Sequence, residues 1–302
     1  MIQGVSKAKM LRNLLRAGKI IVAPGVFNGI TAKMAERQGF KAAYFSGGAL
    51  ANSMVLPDLG VFTLTELTTC LAPVVSRTNL PLIVDVDTGF GETINVVRTV
   101  TELERLDVAA VHIEDQMMPK KCGHLSGKRL IDVESMVKKI VAATEARRTD
   151  MVIIARTDAR DVEGLDAMIE RARVYARAGA DMIFPEALVS REEFAEVAKK
   201  VHTPLVANMT EFGRTPYITA REYERMGYKV VIFPMTAFRI MLKAVQDAFE
   251  ELRRHGSQRD LLGRMMTREQ LYELIGYHDA LELDGRIVER AEKILRSSDD
   301  VT

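Results

Sequence analysis

Cysteine is nearly absent from this chain: Cys70 and Cys122 are all it has, and neither has a second cysteine within reach. That excludes the paired spacing of a structural zinc site and a disulfide framework, and it fits a reducing, cytoplasmic setting. An excess of one charge is missing too. Lysine and arginine number 42 against 41 aspartates and glutamates, a formal net charge of +1. No basic field therefore points to nucleic acid, and no acidic tail to a binding arm. No apolar run approaches the roughly 18 residues of a membrane span, and residues 1–19 hold no apolar signal core. There Met10, Leu11, Leu14 and Leu15 fall instead on one helical face. There is no G-x-G-x-x-G opening a helix, no Ser/Gly linker and no low-complexity tract.

What is present is alternation. The 302 residues, 47% of them apolar, suffice for one large barrel or two ordinary domains and bury a core without staples. Eight short runs rich in Val, Ile, Ala and Phe occur at 20–23, 42–45, 82–87, 109–114, 151–157, 181–184, 204–208 and 229–233. A polar or Gly-containing loop and a helix-length stretch follow each, as at 165–178 and 190–201. Short runs apolar on both faces suit parallel strands covered on both sides. Eight repeats predict an α/β fold, a (β/α)8 TIM-type barrel in one domain over 1–302; an open doubly wound sheet usually has fewer strands and a nucleotide fingerprint. A further helix runs to about residue 254. The stretch 267–295 also reads as helical, with Leu271, Leu274 and Ile275 on one face and Ile287, Ala291 and Ile294 continuing it. A C-terminal extension from about 257 either covers the barrel's flank or packs on a neighbouring subunit.

Chemistry in such a barrel sits at the C-terminal strand ends, and here those ends are polar. The third run ends Asp85-Val86-Asp87. Residues i and i+2 of a strand face the same way, and two adjacent carboxylates repel unless a cation or a proton lies between them. Oxygen donors without a Cys or His trio favour Mg²⁺ or Mn²⁺ over zinc. The fourth run ends His112-Ile113-Glu114, placing a third acid at the same mouth. His112 is either part of that mouth or a hydrogen-bonded core residue. Arg156 ends the fifth run, where it either clamps a substrate carboxylate or pairs internally with Glu186 at the end of the sixth. Asn208 ends the seventh, with Thr210 and Glu211 just beyond.

The loop after the fourth run, 116–129, is polar and cationic and carries Pro119, Gly123 and Gly127. That composition suits a mobile lid. Cys122 stands between Lys121 and His124, and nearby positive charge would lower its pKa. Cys70, within a helical stretch, reads as a small buried hydrophobe.

At Lys120-Lys121-Cys122-Gly123-His124 the sequence resembles the isocitrate lyase and phosphoenolpyruvate mutase superfamily. Matching stretches include Phe45-Ser46-Gly47-Gly48, Asp85-Val86-Asp87-Thr88-Gly89, His112-Ile113-Glu114-Asp115-Gln116, Ala155-Arg156-Thr157-Asp158, Phe184-Pro185-Glu186 and Asn208-Met209-Thr210-Glu211-Phe212-Gly213. The resemblance spans roughly residues 5 to 295, and the cysteine loop points to the lyase branch. It implies a carbon–carbon lyase. The compact length fits those members that split 2-methylisocitrate into pyruvate and succinate in propionate breakdown (the methylcitrate cycle), rather than the longer isocitrate lyases. Another lyase or decarboxylase of the superfamily is the alternative, and a non-catalytic metabolite-binding barrel a more distant one.

The resemblance further implies Mg²⁺ on Asp85 and Asp87, with Asp58 and Glu114 near the same shell. It implies catalytic roles for Cys122, Lys121, His124, Tyr44 and Arg156. Ser46, Gly47, Gly48 and Arg156 would bind the pyruvate half, and Glu186, Asn208 and Thr210 the succinate carboxylates. Cys122, Gly123 and His124 would close over the substrate. Arg239 and Arg268 match further substrate arginines, and Tyr44 is the first choice of base, Glu114 the second. Room for the substrate methyl would lie at Phe184 and Ile232, in a chain without tryptophan. The implied assembly is a homotetramer with swapped C-terminal helices, and the implied partner a small tricarboxylate, with neither nucleic acid nor membrane.

Overall fold

The computed structural model describes residues 6–299. Eight parallel strands follow the eight apolar runs: β1 (Ile21–Val26), β2 (Ala43–Phe45), β3 (Leu82–Asp85), β4 (Ala110–Glu114), β5 (Val152–Thr157), β6 (Met182–Pro185), β7 (Val206–Asn208) and β8 (Val230–Phe233). Their order is β6-β5-β4-β3-β2-β1-β8-β7. A parallel bridge between Ile183 and Leu205 joins the two ends of that order and closes the barrel.

Side-chain alternation explains both the core and the site. Outward residues such as Val84, Val111, Ile153 and Ile183 pack in the layer beneath the helices. Inward residues change character along each strand. Ile83 is followed by Asp85; Ala110 by His112 and Glu114; Val152 and Ile154 by Arg156; and Phe184 by Glu186. The lower barrel is thus an apolar plug, while the upper turn of the same inward columns is polar. Sheet register sets these residues side by side, pairing Asp85 with His112, Glu114 with Arg156, and Arg156 with Phe184.

The expected N-terminal helix spans Lys7–Arg16, capped by the Ser6 hydroxyl, which accepts from the Lys9 N–H. Its Leu11 is fully buried among the inward residues of the lower barrel. Burying a leucine side chain contributes about 1.5–3 kcal/mol. Residues 1–5 of the stretch read from sequence lie outside the described residues.

The chain divides into two compact units, Met1–Leu242 and Lys243–Thr302, with the boundary inside the helix Thr236–His255. The first unit carries the barrel. The second contains a short 3-10 segment Arg259–Arg264 and the helices Arg268–Ile275 and Tyr277–Asp299. The expected continuous helical stretch is broken at Gly276, whose φ of 70° ends the first of these helices in a left-handed cap. Among the described residues no helix is long and apolar enough to cross a membrane.

Candidate active site

Most of the polar upper turn converges on one narrow cleft of about 60 Å³. Tyr44, Ser46, Gly48, Asp58 and Asp85 line one side; Arg156, Glu186, Asn208 and Thr210 line another; Cys122, Gly123 and His124 reach it from the loop after β4. Phe184 and Ile232 also line it. A larger hollow opens beside residues 60–65 and 87–99, but of the polar ring only Asp87 borders it. The smaller cleft is the one most of the expected polar residues line.

The two aspartates meet by a route other than the strand geometry expected. β3 stops at Asp85, and Asp87 follows with φ 47°, a left-handed conformation that aspartate tolerates better than most residues. The turn brings the Asp87 N–H to Asp85 Oδ1 at 3.0 Å. Burial alone would raise Asp85, but His112, Lys120 and Arg156 outweigh it and hold the carboxyl well below its ordinary range. Asp87 goes the other way: burial and the charge of Asp85 raise it against the pull of Lys120. Glu114 is raised by burial, despite Arg156 and Lys120.

Among the described residues, neither oxygen of Asp87 and neither of Glu114 has a hydrogen-bond partner, although both side chains are buried. The Lys120 ammonium is ion-paired with Asp58 and with Asp87, 2.7 Å from Asp87 Oδ1. No three His, Cys, Asp or Glu of the described residues form a ready-made metal cage. Buried oxygens with unused lone pairs and an open donor set fit Mg²⁺, which keeps several waters and takes only one or two carboxylates.

Arg156 is paired inside the protein. Its Nε and Nη2 donate to the two oxygens of Asp158 at 2.9 and 3.1 Å. Its Nη1 lies 3.3 Å from Glu114 Oε2, and its Nη2 3.4 Å from Glu186 Oε2. Its guanidinium also stands 5.2 Å above the Phe184 ring. The bidentate fork therefore belongs to Asp158. Glu186 accepts from Asn208 Nδ2 at 3.1 Å and from the Ala187 N–H at 2.8 Å, and pairs with His124 at 3.2 Å. Burial would raise it, but Arg156 and His124 hold it well below its ordinary range. Tyr44 Oη donates to Asp85 Oδ2 at 3.0 Å and lies 2.7 Å from His112 Nε2. Burial and Asp85 push the phenol well up.

The loop after β4 covers this cleft as a flap. Its ends are tied by an antiparallel bridge between Gln116 and Leu130, and the Gln116 amide bonds the backbone of Lys121 in both directions. Burial raises the Cys122 thiol, with Glu186 and Asp58 adding to the effect; a backbone hydrogen bond at His124 only offsets it. This reverses the expected lowering. The reason is burial first and the charges of Glu186 and Asp58 second, while the Lys121 ammonium lies beside Gly127 within the flap.

Several expected residues lie outside the cleft lining, Asp87 and Glu114 of the expected metal shell among them. Lys121 is replaced there by Lys120. Gly47 does not line it but donates its N–H to Asp85 Oδ2 at 3.3 Å. Arg239 stacks 5.1 Å from the Phe212 ring and donates to the Glu211 carbonyl at 3.3 Å. Arg268 opens a helix of the C-terminal unit.

A family model described as phosphoenolpyruvate phosphomutase matches residues 11–253. The chain belongs to the phosphoenolpyruvate phosphomutase family. A curated relative from Aeropyrum pernix, named 2-methylisocitrate lyase, is 54% identical over 95% of this chain and 92% of its own. A crystal structure of 2,3-dimethylmalate lyase, described as a member of the PEP mutase/isocitrate lyase superfamily, matches with TM-score 0.88 and 38% identity, covering 94% of this chain and 96% of that one. A phosphonopyruvate hydrolase in complex with oxalate and Mg²⁺ matches with TM-score 0.86 and 29% identity over 94% and 100%.

Within this phosphoenolpyruvate phosphomutase family member, Asp158, Lys128 and Arg214 make contacts about the cleft and flap that no sequence motif announced. Asp158 carried a signal, since it stands two residues after an arginine that needed a partner. Lys128 and Arg214 carried none: each acts across loops far apart in sequence.

Proposed function

We propose that this chain is a 2-methylisocitrate lyase, cleaving its substrate to pyruvate and succinate with Mg²⁺. The observation that carries the reading is the placing of the Cys122 thiol, held protonated by burial and by Glu186 and Asp58, in the same cleft as Asp85. The relative from Aeropyrum pernix supports the choice of substrate.

The reaction removes a proton from the substrate hydroxyl, breaks the neighbouring carbon–carbon bond to leave pyruvate, and protonates the carbanion that becomes succinate. Asp85 and Asp87, with Asp58 and Glu114 nearby, would hold Mg²⁺, which when bound would supply positive charge for the developing negative oxygen, worth several kcal/mol. Cys122 Sγ–H delivers the proton to carbon, a general-acid step worth about 10²–10⁴-fold. A thiol raised above its ordinary pKa suits this, because it still holds its proton at neutral pH.

Tyr44 is the group we assign to the hydroxyl proton. As a phenol donating to Asp85 it orients first; it accepts a proton only by passing its own on, and His112 Nε2 is 2.7 Å away. Asn208 and Thr210 line the wall beside Glu186 and bind the succinate carboxylates, while Ser46 and Gly48 face the pyruvate end. Phe184 and Ile232 leave room for the methyl, whose discrimination is worth about 1–3 kcal/mol. Assembly as a homotetramer through the terminal helices belongs to the same reading. The exposed Leu281, Leu283, Ile287 and Val288 support it.

The test is turnover of 2-methylisocitrate and isocitrate side by side, with pyruvate, succinate and glyoxylate measured, with and without chelator. Pyruvate and succinate from the methylated substrate alone, abolished by chelator, are expected. Glyoxylate as the faster product would overturn the assignment.

A further inference from the structure

On the outer side of the flap three loops meet. The loop after β7 brings Arg214, the short helix Ala159–Val162 after β5 brings Asp161, and the flap brings His124, Ser126 and Lys128. Arg214 touches Asp161, Ser126 and His124. Its guanidinium Nη1 pairs with Asp161 Oδ1, and its Nη2 donates to Ser126 Oγ at 3.0 Å. Its backbone N–H donates to His124 Nδ1 at 3.1 Å. Lys128 makes the matching connection from inside. Its wholly buried ammonium donates to the Gly123 carbonyl and lies 3.5 Å from Asp158 Oδ1 and 3.8 Å from Asp161 Oδ2. Asp161 is thus shared by both cations, and Asp158 is the carboxylate that grips Arg156.

The backbone bond also fixes the His124 ring. An Nδ1 that accepts a hydrogen bond carries no proton in the neutral imidazole, so the proton sits on Nε2. That nitrogen is 3.2 Å from Glu186 Oε1. The ring lies directly on the β7 loop: a β-carbon at Gly213 would stand 2.7 Å from Nδ1.

We propose that Arg214 is a positioning residue that latches the flap shut through Asp161 and Ser126 and so holds Cys122 and His124 over the cleft. It does not line the cleft itself. For its substrate the inference rests on the function proposed above; for the latch it rests on these contacts alone.

The test uses the full chain and three variants, Arg214→Ala, Arg214→Lys and Asp161→Asn, with the double variant of Arg214→Ala and Asp161→Asn. Cleavage within 119–129 by limited proteolysis of ligand-free protein should be about tenfold faster in Arg214→Ala, the scale of one charge-assisted hydrogen bond. With 2-methylisocitrate, kcat should fall by a similar factor while KM moves far less, because the latch acts on closure rather than on the cleft wall. Arg214→Lys should recover most of both, and the double variant should lose no more than the worse single one. Parental cutting and parental kcat in Arg214→Ala would overturn the latch, as would strictly additive losses or an unchanged kcat in a less stable protein. A parent that does not turn over 2-methylisocitrate sinks the substrate assignment, and proteolysis then decides the latch by itself.

Discussion

Gly123 of the flap lies against Glu186 at a distance that leaves no space for a side chain: a β-carbon there would stand 2.6 Å from Glu186 Cδ, and 2.7 Å from Arg156 Nη2. Both neighbours are buried and paired, so neither yields cheaply. Gly123→Ala should therefore prop the flap open by about an ångström. Misplacing a catalytic group that far costs on the order of 10²-fold. We expect kcat to fall by that factor with little change in thermal stability. Steady-state kinetics beside a melting curve checks both, and parental kcat would show that the flap is not part of the reacting site.

Cys122→Ser should reduce turnover by about 10²–10⁴-fold, the span of a general-acid contribution. The hydroxyl keeps the shape of the thiol but donates its proton far less readily. Magnesium affinity should be unchanged, since Cys122 is not among the carboxylates assigned to the metal. Calorimetric titration with Mg²⁺ alongside turnover separates the two, and near-normal turnover removes Cys122 from the acid role.

The raised Cys122 thiol has a pH consequence. An acid works only while it holds its proton, so activity is present below its pKa and lost as pH rises through it. With the pKa pushed above the ordinary thiol value of about 8.5, the alkaline limb of kcat should fall at higher pH than a free cysteine would give. The limb should vanish in the residual activity of Cys122→Ser. An alkaline limb at or below the free-thiol value would contradict the raised pKa.

Removing the divalent cation should abolish turnover, and Mg²⁺ should restore it. Asp85→Asn should mimic the loss even at high Mg²⁺. Full activity after exhaustive chelation, verified by elemental analysis, would count decisively against a metal on Asp85 and Asp87.

Leu11 fills the bottom of the barrel, far along the inward columns from the polar turn. Leu11→Ala should destabilise the fold by roughly 2–5 kcal/mol through lost burial and a residual cavity. Activity of the folded fraction at 25 °C should stay near parental. Urea unfolding measures the first, and initial rates the second.

Much of this was legible in the chain itself. The eight apolar runs predicted all eight strands, because a strand buried on both faces must be short, branched and continuous. The polar residues ending those runs predicted where the cleft lies, because inward columns alternate by two and turn from apolar to charged at one end. Asp85, Cys122, Arg156 and Glu186 needed only that reasoning, together with the resemblance of the motifs.

The sequence alone determined the alternation, the barrel and the chemical type of its mouth, all of which follow from local periodicity. Tertiary structure decided which charged groups face one another. It turned Asp87 left-handed beyond the strand, gave the fork of Arg156 to Asp158, turned Lys121 away while Lys120 came in, and joined Arg214 to a flap some 90 residues earlier (214 against 124). Charges interact through space with a strength set by distance and burial, and neither quantity is written in the order of residues.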